Sequence, residues 1–436
     1  MKILVTGAGG FVGKNLVAAL NAVKDGKDKT RPSLKIEDVF EFDVNTSAEF
    51  LDTYCKDADF VFNLAGINRP KTQEEFMQGN FGFASKLLAI NKGIHLAYGP
   101  KMNGVVEVAS LQFEKRAQWH VSSTPATKEG DWADHLRGAT IALNKRYPLH
   151  VGLCGVISGE LPIGGLSSSA AVIITFLCAL AKLNNITLTE NELITISKEA
   201  ENKYVGVACG KLDQSCEVYC RKDNLLYMDL QDDSYELIPT NHATKPYKFA
   251  IFFSGIERTL AGSAFNMRVD ECRSAAYALK AHAGMEYGKF EETNLREVPR
   301  SVYDTYKDKL PDNWRKRAEH WYTEFERVEK GAEAWRKGDI EEFGRLSFES
   351  GHSSIYNWET GSPELKKLYE IMRETKGIYG GRFSGAGFKG CCMAIIDPTY
   401  EESITAEVTK KYFEAFPHLE GKYSVHICES ADGVKL

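Results

Sequence analysis

Little in this sequence would send it to a membrane, to nucleic acid or to an oxidising compartment. Its longest apolar run, Ala170 to Leu183, is too short to cross a bilayer and reads as a buried helix. The N-terminus, MKILVTG, lacks the charged region and cleavage site of a secretory signal, so a cytoplasmic chain is expected. Net charge is −6, and the 26% of charged residues mix both signs without a basic stripe. Neither nucleic acid nor a membrane surface is therefore expected as a partner. The 10 cysteines are scattered, with no C-x-x-C pair and no His/Cys cluster at zinc spacing. Adjacent Cys391 and Cys392 fall in an apolar run, and the set reads as reduced core thiols. What is present, 436 residues of which 43% are hydrophobic, suffices for roughly two to four domains at ~100–200 residues each.

At the start, an apolar run from Lys2 to Thr6 breaks into GAGGFVG and resumes as an amphipathic helix pattern, Phe11 to Leu20. Strand, glycine turn and helix follow in the order a dinucleotide fold needs. Gly7 permits the tight turn, Gly10 lets backbone approach a pyrophosphate, and Gly13 lets the helix pack close to the strand. These are the candidate dinucleotide-binding residues. Val39 to Asp43 and Asp59 to Leu64 read as further strands, the second running into NLAGINRP, and Phe81 to Leu88 reads as a helix. The stretch resembles the extended short-chain dehydrogenase and epimerase family, in particular the nucleotide-sugar enzymes of capsule synthesis, over about the first 88 residues. That resemblance then stops. The Tyr-x-x-x-Lys pair that moves protons beside a nicotinamide is not found at the proper distance. Tyr303 and Lys307 have the spacing, but they lie far too late, in a highly charged helical stretch. A retained half of a nucleotide fold is expected here, not a working dehydrogenase.

From about Ala89 the texture changes, and AINKGIHLAYG, GVVEVAS and HVGLCGVISGEL supply β-type runs separated by polar turns. GELPIGGLSSSAAV, Gly159 to Val172, follows. A strand ends at Leu161, Pro162 stops the ladder, Gly164 and Gly165 free the backbone, and Ser167, Ser168 and Ser169 open the helix from Ala170. Such a loop presents backbone N–H groups and the positive end of a helix to an anion. A serine that merely caps a buried helix is the alternative, but one serine would suffice for that. The stretch closely resembles the second signature of the GHMP kinases, the superfamily of galactokinase, homoserine, mevalonate and phosphomevalonate kinases. It is one residue shorter between Pro162 and Leu166 than the commonest form. The resemblance implies that Gly164, Gly165, Ser167, Ser168 and Ser169 hold ATP phosphates.

Thr189 and Glu192 stand at capping-box spacing ahead of apolar Leu193, Ile196, Ala200 and Tyr204, which predicts a helix ending near Gly206 with Glu201 in its last turns. In the loop that follows, VACGKLDQS, Asp213 lies among small and apolar residues. By themselves the two carboxylates read equally as solvated charges. The wording AENKYVGVACGKLDQS, however, resembles without a gap the galactokinase stretch that carries the metal ligand and the catalytic aspartate. This implies Ser169 and Glu201 on Mg²⁺, Gly210 in the substrate site, and Asp213 as the catalytic residue beside the sugar hydroxyl. Phosphoryl transfer asks for no more than an aligned γ-phosphate, charge neutralised by metal and donors, and a carboxylate to orient the attacking oxygen.

Two later stretches extend the likeness. FFSGIERTLAGSAFNMRVDEC, Phe252 to Cys272, resembles the strand, loop and helix that close over the sugar in galactokinases, with Phe265 where those enzymes usually carry a tyrosine. Phe265 reads either as a substrate contact that has lost its hydroxyl or as core. GIYGGRFSGAGFKGCCMAII, Gly377 to Ile396, resembles the third signature, so that Gly385 and Gly387 approach the nucleotide from a small-residue turn. Together with GHSSIYNWETGSPEL, Gly351 to Leu365, the wording is nearer to galacturonokinases than to plain galactokinases. A helix, Glu401 to Phe416, and a strand, Tyr423 to Cys428, complete a β-α-β tail.

The expected fold is an α/β partial Rossmann half (1–88) followed by a two-domain α+β GHMP kinase. Its ribosomal S5-like N-terminal domain (89–240) lacks the first segment, and its C-terminal domain (241–436) is ferredoxin-like. The expected activity is ATP- and Mg²⁺-dependent phosphorylation of a monosaccharide, galactose or galacturonate, at the anomeric hydroxyl. One family element is missing. The first signature, an arginine or equivalent followed by Gly-x-His-x-Asp, is imitated only superficially at Gly93-Ile94-His95, where Ala97 stands in place of the aspartate. Either the kinase has lost part of its site in a fusion, with impaired activity, or a remodelled site draws substitutes from the new N-terminus. An NAD(P)-dependent epimerase or oxidoreductase and a catalytically dead nucleotide-binding protein are the alternatives.

Overall fold

The computed structural model describes residues 1–30, 34–43, 45–63, 93–113, 116–159, 168–207, 209–256, 262–385, 387–388 and 390–434. The chain divides into two compact units, Met1–Leu161 with Thr175–Thr187, and Pro162–Ile174 with Leu188–Leu436. Among the described residues no helix is long and apolar enough to cross a membrane.

In the first unit, β1 (Lys2–Thr6), α1 (Phe11–Lys24), β2 (Asp38–Phe42), α2 (Ala48–Asp57) and β3 (Phe60–Asn63) build a parallel sheet in the order β2-β1-β3. Side chains alternate along a strand, so the unbroken apolar run of β1 feeds both faces. Ile3 and Val5 pack with Val17, Leu20 and Val23 of α1. Leu4 packs with Phe42 and with Leu51 and Cys55 of α2. This is half of a doubly wound fold. Gly7 takes a left-handed φ of 68° at the turn, and a Cβ on Gly13 would run into the Gly7 carbonyl oxygen. The Gly9 N–H donates to the Asp43 carboxylate at the end of β2.

The same unit holds β4 (Ile94–Lys101), β5 (Val105–Ser110), β6 (Arg116–His120), α3 (Asp134–Asn144) and β7 (Gly152–Gly159). The strands form a mixed sheet, β4-β7-β5-β6, in which only β5 and β7 run parallel. Neither β6 nor α3 was among the elements expected. Trp119 of β6 is buried and donates its Nε1–H to Thr140 Oγ1 of α3 at 3.2 Å. Its ring packs 6.1 Å from Phe176, on the long apolar helix α4 (Ser168–Leu183).

The second unit takes in the start of α4, as far as Ile174, and continues with α5 (Glu190–Glu199), which runs on as a π-helical turn, Ala200–Val205, and then α6 (Leu212–Tyr219). The hairpin β8 (Asn224–Met228) and β9 (Tyr235–Pro239) leads to β10 (Lys248–Phe253). Five helices follow: α7 (Gly262–His282), α8 (Arg300–Tyr306), α9 (Asp312–Lys337), α10 (Ile340–Tyr356) and α11 (Pro363–Glu374). The unit closes with β11 (Ile378–Phe383), β12 (Cys391–Ile396), α12 (Glu401–Ala415) and β13 (Ser424–Cys428). The antiparallel sheet β11-β12-β10-β13 is the ferredoxin-like arrangement expected of the C-terminal part. Its core joins Phe252, Leu368, Met372, Cys392, Val408 and Tyr412. The Tyr412 hydroxyl is satisfied by Ser254 O at 2.6 Å.

All 10 cysteines are free thiols, but the core reading needs correcting. Only Cys55, Cys391 and Cys392 are buried, and Cys154 is exposed on β7. Scattered spacing indicates reduction but says nothing of which face of an element a thiol occupies. Tyr303 is core: it is 1% exposed, and its hydroxyl donates to Glu319 at 2.7 Å.

Candidate functional site

Glu201 reaches its place through an irregularity in its helix. Thr189 accepts from the Glu192 N–H at 3.2 Å while the Glu192 carboxylate accepts from the Thr189 N–H at 2.9 Å, which starts α5 as the capping box predicted. Leu193 and Ile196 then face inward. At Ala200 the helix widens to π geometry and ends at Gly206, whose left-handed φ of 85° favours glycine. A π turn inserts one residue per turn and re-aims side chains, and such turns recur at functional sites. Here Glu201 is turned in and left only 7% exposed.

Two neutral donors meet this carboxylate. Ser169, in the first turn of α4, donates its hydroxyl to Glu201 Oε1 at 2.8 Å. Gln214, wholly buried on α6, donates its amide to Glu201 Oε2 at 2.8 Å. Among the described residues no cationic side chain pairs with Glu201. A buried carboxylate held only by neutral donors keeps its charge uncompensated. A hydroxyl and a carboxylate side by side form a hard-oxygen pair of the kind Mg²⁺ takes, leaving its other positions to phosphate and water. The residues therefore fit that ion.

Asp213 does not lie in the loop expected for it but in the first turn of α6, because the helix begins at Leu212, only two residues after Gly210. A carboxylate at that end is favoured by the helix dipole. Successive helical residues point about 100° apart, so Asp213 is exposed while Gln214 turns inward to Glu201. The run before α6 is pinned by a reciprocal pair. Cys209 Sγ–H donates to Asn202 Oδ1 at 3.0 Å, and Asn202 Nδ2 donates to Cys209 O at 3.2 Å. Burial, reinforced by the neighbouring Glu201 charge, pushes the Cys209 thiol up to about 12. It stays protonated. One turn beyond Asp213, burial and the Asp213 charge push Glu217 up to about 7.

The remaining predicted residues are distributed as follows. Ser168 opens α4 beside Ser169. Gly164, Gly165 and Ser167 lie outside the described residues, as does the side chain of Phe265 in the first turn of α7. Gly210 is exposed. Gly385 and Gly387 occupy the turn between β11 and β12 with φ of 64° and 74°, a left-handed path that favours glycine. A Cβ on Gly387 would stand 2.7 Å from the Phe383 ring. Gln214 was not foreseen; its adjacency to Asp213 is the one signal that could have found it.

Residues 126–221 match the GHMP kinases N terminal domain and residues 332–415 the GHMP kinases C terminal domain. A galacturonokinase of Arabidopsis thaliana is 36% identical over 373 residues, covering 80% of this chain and 87% of that protein. The chain belongs to the GHMP kinase family. A galactokinase of Roseiflexus sp. (strain RS-1) is 30% identical over 359 residues, covering 81% of this chain and 88% of that protein. The crystal structure of Lactococcus lactis galactokinase complexed with galactose superposes with a TM-score of 0.72 at 25% identity, over 79% of this chain and 88% of that one. Family membership gives the Ser169–Glu201 pair its context, since Ser169 falls within the matched N-terminal domain and so do Glu201 and Asp213. Residues 3–95 match the NAD dependent epimerase/dehydratase family, in line with the half Rossmann fold.

Proposed function

We propose that this chain is an ATP-dependent sugar kinase that phosphorylates a hexose or hexuronic acid, galactose or galacturonate, at the anomeric C1 hydroxyl. The observation that carries the reading is the buried Glu201 carboxylate, hydrogen-bonded to Ser169 and joined through the next helix to Asp213. The 36% identity to a galacturonokinase supports a hexuronic acid as substrate.

Backbone N–H groups at Gly164, Gly165, Ser167, Ser168 and Ser169 hold the ATP phosphates at the N-terminus of α4, and Gly385 and Gly387 bring the β11–β12 turn against the nucleotide. Ser169 and Glu201 hold Mg²⁺, which when bound supplies charge neutralisation to the phosphates. Gly210 and Phe265 border the sugar. Asp213 orients the C1 hydroxyl and takes its proton as the oxygen–phosphorus bond forms and the bond to the ADP oxygen breaks. In this reading 89–240 carries ATP, 241–436 closes the site, and 1–88 is an added Rossmann half.

The test is sugar-dependent ADP release from Mg-ATP with galacturonate and galactose in parallel, with phosphorus NMR of the product. A sugar 1-phosphate is expected. ADP release that neither sugar stimulates would refute the reading.

A further inference from the structure

Gln214 spends its amide in an unusual way. One N–H donates to Glu201 Oε2 at 2.8 Å, and the nitrogen also lies 3.9 Å from Cys209 Sγ. The amide oxygen, in a side chain that is 0% exposed, has no hydrogen-bond partner among the described residues. Rotating the amide by half a turn would press that oxygen against a carboxylate, so the orientation follows from Glu201. A buried acceptor left unmatched is a cost. A side chain selected for packing alone would avoid it; an apolar residue of the same length would fill the space without it. Packing alone does not explain the amide, whose N–H serves the buried Glu201 carboxylate.

The geometry points to Gln214 as a positioning residue for the metal-binding carboxylate. This rests on the reading of Glu201 as a Mg²⁺ ligand. Ser169 fixes one carboxylate oxygen and Gln214 the other, so the plane of the carboxyl group is set from both sides, and each oxygen keeps a lone pair for a cation. Because Gln214 follows Asp213 on α6, the same bond sets the helix that presents Asp213 relative to the turn that presents Glu201. One amide thus holds two carboxylates of the site in register, and a ligand free to rotate binds an exacting octahedral ion less well.

Gln214→Met keeps length and volume, removes the donor and also removes the unmatched oxygen. Calorimetric titration of Mg²⁺ into the protein with saturating ADP is expected to give about tenfold weaker binding, equivalent to about 1.4 kcal/mol. Metal-free ADP affinity is expected to stay at the parental value, and the melting temperature without nucleotide to stay within a few degrees of it, since the lost bond to Glu201 is partly offset by removal of the unmatched oxygen. Gln214→Asn, whose amide stops a methylene short, is expected to show the same loss and replaces the Met variant should that variant not fold. Glu201→Gln is the control. It is expected to lose Mg²⁺ binding by itself, and combining it with Gln214→Met is expected to add nothing. Mg²⁺ affinity within twofold of the parent in both Gln214 variants, with Glu201→Gln impaired, would overturn the positioning role alone. Unchanged affinity in Glu201→Gln would overturn the metal reading beneath it.

Discussion

Two partly buried groups in the second unit push its stability in opposite directions with pH, and replacing either one should expose the other. Glu217 is raised from 4.5 to about 7 by burial and by the Asp213 charge. His320 is lowered from 6.5 to about 4, chiefly by burial, against a raising pull from Glu324 and with help from Arg382, Arg327 and Arg317. Folding stability changes with pH as the difference in protons bound by the unfolded and folded states. Between pH 4.5 and about 7 the folded Glu217 keeps a proton that the unfolded chain gives up. Its contribution is complete below 4.5 and is lost as pH rises through that window. His320 does the reverse. Between about 4 and 6.5 the unfolded chain takes a proton that the folded imidazole, hydrogen-bonded to Ser353, refuses. With a tenfold change in a proton's affinity worth about 1.36 kcal/mol, the displacements from 4.5 to about 7 and from 6.5 to about 4 are each worth on the order of 3 kcal/mol. In the parent the two slopes largely cancel from pH 4.5 to 6.5. Glu217→Gln should therefore gain on the parent by about 3 kcal/mol on going from pH 4.5 to 7.5, and His320→Gln by a similar amount on going from 7.5 to 4.5. Urea unfolding followed by tryptophan fluorescence at five pH values measures both differences. If either variant differed from the parent by the same amount at every pH, the burial argument for that residue would fail.

The remaining predictions concern the site. Asp213→Asn should bind Mg-ATP as the parent does while sugar phosphorylation falls by ~10²–10⁴, the range for a lost general base, as steady-state kinetics with calorimetry would show. Ser169→Ala removes a bond to Glu201 and an oxygen beside it, and should weaken Mg-ATP binding about tenfold with the melting temperature within a few degrees of the parent. Mg-ATP at a hundredfold its dissociation constant should stabilise the protein by about 2.7 kcal/mol in a thermal shift. NAD⁺ should shift it far less, since the Gly9 N–H is already taken by Asp43; a larger shift with NAD⁺ than with Mg-ATP would reverse the ranking.

How much of this was legible in the sequence depended on whether a feature was local. The opening strand, turn and helix were readable because Gly7 and Gly13 answer to steric demands within a few residues. So was the start of α5, because Thr189 and Glu192 satisfy each other across one turn. The strand β6 carried an alternating pattern, Arg116 and Gln118 outward with Ala117 and Trp119 inward, but over five residues that signal is too short to stand out. The π turn at Ala200–Val205 left no mark at all. It differs from an α-helix by the partner of each N–H, and no residue type in AENKYV specifies that choice.

Helix α9 shows why the rest was out of reach. It is rich in charge, yet Arg317 is 1% exposed, with its guanidinium 2.6 Å from Glu271 of α7 and 2.7 Å from Glu359 beyond α10. Both partners are more than forty residues away in sequence, so nothing around Arg317 distinguishes it from Lys316, which shares Glu359 from a more exposed position. A buried guanidinium is tolerated only when its nitrogens are met, and here the carbonyl of Asn357 serves the third of them. The same holds for Gln214. A polar residue whose partners arrive from distant elements looks ordinary in sequence, and the bond it makes in the fold is what separates a solvated side chain from one that orders a site. The two cases differ in what the bond is for. Arg317 joins two acids and fixes α7, the helix that begins at Gly262 and carries Phe265, to α9. Gln214 meets a single acid that pairs with no cationic side chain among the described residues, and so leaves room for a cation.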